Sequence, residues 1–112
     1  MVRSEYRTLD RRKSAEAERR NRAADFIAAR LTDFAREKGG RYILFGSLAR
    51  RDARFDSDVD MLLDFPPESE AEAWRLAESV CAELDMVSDI KPLGWCTPDF
   101  AARIMAGARV IA

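Results

Sequence analysis

Phe45 to Asp64 reads F-G-S-L-A-R-R-D-A-R-F-D-S-D-V-D-M-L-L-D, and this stretch decides how the chain is understood. Its skeleton is Gly46-Ser47, ten intervening residues, and then Asp58-x-Asp60 entering an apolar run. On a strand, residues two apart project from the same face, so Asp58 and Asp60 share one. Two carboxylates held that close repel each other unless a cation neutralises them. An all-oxygen pair of this kind suits Mg²⁺, which keeps open positions for substrate phosphates. Gly46 lets backbone approach a ligand closely, and the helix start that follows offers N–H groups to an anion. Ser47 adds a hydroxyl donor, while Arg50, Arg51 and Arg54 follow closely enough to neutralise a phosphate tail.

The flanks of this stretch set the elements. Upstream, Tyr42-Ile43-Leu44-Phe45 is an aromatic and β-branched run suited to a central strand. Residues 14–38 are expected to form a helix, with Ala24, Ile27, Leu31, Phe34 and Ala35 recurring at three and four and Gly39-Gly40 stopping it. A short helix fits the first half of 48–57. Val59 to Phe65 forms the second strand, broken by Pro66-Pro67. Residues 68–84 carry Ala73, Trp74, Ala77, Val80, Cys81 and Leu84 on one helical side, with Glu68, Glu70 and Glu72 at the positive end of the dipole. Residues 85–90 are expected as a third strand. Thr97-Pro98 opens a helix over 98–106, with Thr as N-cap, and 109–111 adds an edge strand. Helices and strands in alternation predict one sheet with helices packed against it, an α/β (α+β) single domain.

Composition narrows the chemistry. A chain of 112 residues with 47% apolar side chains supports one real core. There are no histidines, so a Ser-His-Asp triad, a Cys-His protease or a histidine-ligated metal site is excluded. Two cysteines, Cys81 and Cys96, make no disulfide framework, and Cys81 reads as a small core hydrophobe. No apolar run reaches the ~20 residues needed to span a bilayer and no apolar signal core is present, so a cytoplasmic location is expected. Net charge is −1, yet residues 1–22 hold eight Arg and Lys against four acids, leaving about −5 for the rest. That division suggests an N-terminal basic arm (1–22) on a domain of 23–112. The interleaved acids point to a solvated helix extension more than to a nucleic-acid arm.

A metal-assisted transfer calls for a third carboxylate to activate the incoming hydroxyl. Asp85 and Asp89 are the candidates. Asp85, read as opening the third strand just after an apolar helix, is preferred.

The Gly46-Ser47 and Asp58-x-Asp60 pattern resembles the signature of the DNA polymerase β-like nucleotidyltransferase superfamily. It is most similar to the minimal nucleotidyltransferases (MNT), antitoxins of MNT/HEPN toxin–antitoxin pairs. Their segment resembles G-S-x-A-R-G-x-A-x-x-x-S-D-x-D-L, which Gly46, Ser47, Ala49, Arg50, Ala53, Ser57, Asp58 and Asp60 match. Leu84-Asp85-Met86-Val87 resembles the context of the family's third carboxylate, and Arg103-Ile104, Gly107 and Val110-Ile111 resemble its ending. The resemblance implies a nucleotidyltransferase fold, with Asp58, Asp60 and Asp85 holding two Mg²⁺ ions. Gly46, Ser47, Arg50 and Arg54 would bind the triphosphate of ATP. It further implies transfer of AMP to a hydroxyl acceptor, a tyrosine on a cognate HEPN ribonuclease toxin, with homo- or hetero-oligomers open. One departure stands out: the family has glycine where this chain has Arg51. If the position needs a positive φ, arginine costs about 1 kcal/mol there. The alternative reading is a non-catalytic antitoxin that neutralises a HEPN toxin by contact.

Overall fold

A computed structural model describes the backbone of residues 2–112 and the side chains from Arg11 onward. Its elements run α1 (Val2–Lys38), β1 (Arg41–Phe45), α2 (Ser47–Arg50), β2 (Val59–Asp64), α3 (Pro67–Glu83), β3 (Ser88–Pro92), a 3₁₀ turn (Leu93–Trp95), α4 (Pro98–Met105) and β4 (Arg109–Ile111). The strands form one mixed sheet in the order β3-β2-β1-β4. β1 pairs antiparallel with both β2 and β4, whereas β2 and β3 are parallel, joined by the α3 crossover. This is the small α+β single domain that the alternation predicts.

One face of the sheet is the core. Tyr42, Leu44, Val59, Met61, Leu63, Ile90 and Ile111 point into it, and α1 covers them with Ala24, Ile27, Leu31 and Ala35. Helix α3 contributes Ala73, Ala77, Val80 and Cys81 to the same cluster. Small residues on both helices let them lie close together, and an Arg30–Glu83 ion pair bridges them at the surface. The Tyr42 hydroxyl, buried here, donates to the Ala73 carbonyl at 2.8 Å, so it leaves no unpaired polar group. Alternate strand residues point the other way: Phe45, Asp60 and Asp89 are among them, because the pleat reverses every residue.

Two boundaries differ from expectation. Helix α1, expected over 14–38, starts at Val2. Arg19 donates to the Leu84 carbonyl at 3.1 Å, and the Ala53 amide donates to Asn21 Oδ1 at 3.1 Å, so contacts with the domain reach well inside 1–22. The side chains of Arg3 and Arg7, counted in the basic arm, lie outside the described residues. The third strand starts at Ser88, three residues later than expected. Leu84 and Asp85 belong instead to the end of α3. The Met86 amide bonds back to the Cys81 carbonyl at 3.0 Å and the Asp85 amide to Ala82 at 3.0 Å, with Asp85 at φ 53. That is a Schellman stop, with Asp in the left-handed place that glycine usually fills. Among the described residues no helix is long and apolar enough to cross a membrane.

Candidate active site

The site grows out of the registers of β2. Asp60 pairs with Phe45 on β1 and with Asp89 on β3. Directly opposed residues share a face, so Phe45, Asp60 and Asp89 form a row across three strands on the side away from the helical core. Asp58 stands one residue before β2 and is exposed. Burial lifts the Asp60 carboxyl above the usual carboxylate range, the negative charges of Asp89 and Asp58 add to the lift, and Lys91 opposes it. A half-buried carboxylate facing two others is a cation-seeking arrangement.

Gly46 fits against that row. It has φ 77, and a Cβ added there would lie 2.8 Å from Asp60 Oδ2. A side chain at this position would be strained by the backbone and would strike the carboxylate, so glycine is required twice over. The next residue opens α2, a single turn of four residues. Its Ser47 hydroxyl donates to Ser57 Oγ at 2.9 Å, and Ser57 Oγ also accepts the Arg54 amide at 2.7 Å. An Arg20 guanidinium bonds the Ser57 carbonyl. Ser57 therefore ties the glycine turn, the arginine loop and α1 together immediately ahead of Asp58.

Arg51 adopts φ 58, so the position does demand the left-handed conformation. The Asp52 amide bonds the Ser47 carbonyl at 3.0 Å and the Arg51 amide bonds Leu48 at 3.3 Å, the same Schellman pattern in miniature. Arg51 is held outward by Asp25, at 3.0 and 3.1 Å, and Asp25 also accepts Arg109 at 2.7 Å. The guanidinium that departs from the family pattern thus serves a surface tie between α1, α2 and β4 and does not intrude on the carboxylates. At about half exposure, such pairs contribute at most ~1 kcal/mol, enough to offset the strain in part.

The sequence-derived residues are brought together unequally. Gly46, Ser47, Asp58 and Asp60 converge. Arg50 is exposed nearby, its Nε 3.4 Å from Asp52, and it helps line a cleft of about 260 Å³ with Phe45, Gly46, Phe100, Arg103 and Ile104. Arg54 joins through its backbone, and its side chain is exposed. Asp85 is not part of the group. It sits in the stop of α3 beside Arg19, whose charge it supports, and Asp89 takes the position beside Asp60 that Asp85 was expected to hold. Lys91 and Phe100 carry no signal in the sequence reading, and Arg103 enters it only as part of the ending that resembles the family's. The signal for Asp89 was available in Ser88-Asp89-Ile90-Lys91-Pro92, where the alternation puts Ile90 inward and Asp89 outward.

The residues present suit a hard divalent cation: the donors are all oxygen, and Asp60 is destabilised without a counter-charge. Among the described residues no three acidic side chains form a metal-holding group. Asp89 is instead ion-paired to Lys91 at 3.5 Å. A larger cavity, about 390 Å³, lies at the far end of the sheet around Gly40, Arg41, Asp64 and Phe65, several residues along β1 and β2 from the acids. It holds one ion pair, Arg41–Asp64 at 2.7 Å, and Asp64 is the one acidic side chain among the described residues that line it.

A glycine turn closed against facing carboxylates on a mixed sheet is the arrangement to be compared with known proteins. Comparison with known proteins gives the family: the nucleotidyltransferase domain matches residues 28–92, from mid-α1 through β3. The chain belongs to the nucleotidyltransferase domain family. Among solved structures it is similar to a chain from a crystal structure of a toxin–antitoxin with AMP-PNP, at TM-score 0.56 and 18% identity over 76% of this chain and 72% of that one. That likeness establishes the shared fold. No curated protein matches the chain.

Proposed function

We propose that the protein moves AMP from ATP onto a hydroxyl acceptor and serves as the antitoxin of a toxin–antitoxin pair, with a tyrosine of a HEPN-type toxin as acceptor. The observation that carries the transfer reading is the row Asp60–Asp89 in register, with Asp58 ahead of it and Gly46 closed against Asp60. Family membership supports nucleotidyl transfer, and the fold shared with a toxin–antitoxin chain supports the partner.

In this reading Asp58, Asp60 and Asp89 hold Mg²⁺. When bound, two such ions neutralise the charge that develops on the entering and leaving oxygens. Gly46 and Ser47 receive the phosphate tail, with Ser57 fixing the Ser47 hydroxyl. Arg50 and Arg103, on two sides of the cleft beside Gly46, supply positive charge to the departing pyrophosphate. The acceptor oxygen forms a bond to the α-phosphorus as the bond to the β-phosphate oxygen breaks. The hydroxyl proton passes to a carboxylate oxygen of Asp89, which at about three-fifths exposure is open to an incoming group. Asp85 has no part in this scheme.

The test is incubation with α-labelled ATP and Mg²⁺ beside a purified HEPN-type toxin, using the wild type and an Asp58→Asn, Asp60→Asn double variant. Label on a toxin tyrosine with the wild type alone is the expected result. A toxin that is neutralised equally by both proteins, without label, would replace the reading with antitoxin action by contact.

A further inference from the structure

The carboxylate row contains a cation of its own. Lys91 lies two residues beyond Asp89 on β3, hence on the same face, and its Nζ stands 3.5 Å from Asp89 Oδ2. The lysine side chain is one-third exposed, so its ammonium stays in reach of solvent and of an arriving anion. Asp89 is the one acid placed in register beside Asp60, and it is the one already engaged.

We propose that Lys91 is a positioning residue that occupies Asp89 in the resting protein and is drawn away by the phosphate tail of the nucleotide, so that metal and nucleotide load together. The inference rests on the transfer reading above, in which Asp58, Asp60 and Asp89 receive the metal. An ammonium is a compact charge on a flexible stem with three donors, able to leave one carboxylate for the oxygens of a phosphate without rearranging the strand. While it is paired with Asp89, a divalent ion must displace it, and like charges at that spacing oppose each other. A triphosphate offers Lys91 a better partner and simultaneously supplies oxygens to the ion. By linkage, each ligand then raises the affinity for the other. Arginine at position 91 preserves the charge, whereas methionine keeps the stem and removes it.

The experiment is calorimetric titration of the full chain with MgCl₂, alone and with a saturating non-hydrolysable ATP analogue, for the wild type, Lys91→Met and Lys91→Arg. Thermal melts of each variant establish that it is folded. We expect Lys91→Met to bind Mg²⁺ alone at least about fivefold more tightly than the wild type, and the gain from added analogue to shrink. Lys91→Arg should follow the wild type. Wild-type metal binding that Lys91→Met leaves unchanged or weakens would overturn the inference while leaving the transfer reading intact. No Mg²⁺ binding by any variant, even with the analogue present, would remove both.

Discussion

Asp60 concentrates the tension in this fold. It is the residue of β2 at which a carboxylate replaces an apolar side chain between fully buried Val59 and Met61. Its burial and the charges of Asp89 and Asp58 all favour the protonated form. A carboxyl raised in the folded state stabilises the protein at low pH, where it is neutral, and loses that contribution as pH rises through its folded pKa. Replacing it with asparagine should therefore make the metal-free protein more stable at pH 7, by up to about 1 kcal/mol given its partial exposure. The same substitution should abolish nucleotidyl transfer. Urea denaturation in EDTA checks the first outcome and the labelled-ATP assay the second. Stability that falls in the EDTA titration would mark Asp60 as structural.

Among the elements, the helix stops explain which part of the site could be read and which could not. Helices α1, α2 and α3 all end with the same pair of backbone hydrogen bonds around one left-handed residue: Gly39, Arg51 and Asp85. Only the first carries glycine, the residue that announces a stop. The end of α1 was therefore legible, while the end of α3 was hidden in Leu84-Asp85-Met86, whose apolar–acid–apolar pattern also reads as a strand. The error had one physical source, because a single-residue αL stop leaves no compositional trace unless glycine occupies it. Gly46-Ser47 and Asp58-x-Asp60 were legible since their chemistry is local. The pairing of Asp60 with Asp89 depends on the parallel register of β2 and β3, which no local pattern carries. Asp85→Gly should raise stability by about 0.5–1 kcal/mol and leave transfer intact, whereas Asp89→Asn should remove transfer. A melting curve and the transfer assay on the two variants check this, and an inactive Asp85→Gly protein would restore Asp85 to the site.

For the molecule as a whole, one helix serves both core and site. Ala24, Ile27, Leu31 and Ala35 of α1 pack on the sheet, while Arg20 and Asn21, one turn earlier, hold the loop leading to Asp58. The stretch read as a basic arm thus contributes to positioning, and its charge is partly internal, as the Glu16 contacts to Arg19 and Arg20 show. The packed layer also predicts thiol behaviour. Cys81 is fully buried between α3 and the sheet, and burial pushes its thiol up to about 11, against an opposing hydrogen bond from Ser88. Cys96 is partly exposed. Iodoacetamide at pH 8 should label Cys96 and leave Cys81 untouched until the protein unfolds. Because the Cys81 pKa is raised on folding, its contribution to stability should be present below about pH 8.5 and fade above it. Mass spectrometry after alkylation reads the first outcome, and pH-dependent melts of wild type against Cys81→Ala the second.

The shared register of β1, β2 and β3 has a consequence for quality control. Met61 and Asp60 are neighbours on opposite faces, so a slip of β2 by one residue would turn Asp60 into the helical layer and Met61 out to solvent. The penalty for misalignment falls on the core before it falls on the chemistry. A population of these molecules can contain unfolded chains and correctly aligned ones, but not a folded fraction with its acids facing the wrong way. If the proposed antitoxin role holds, the amount of folded protein is then a direct measure of protective capacity.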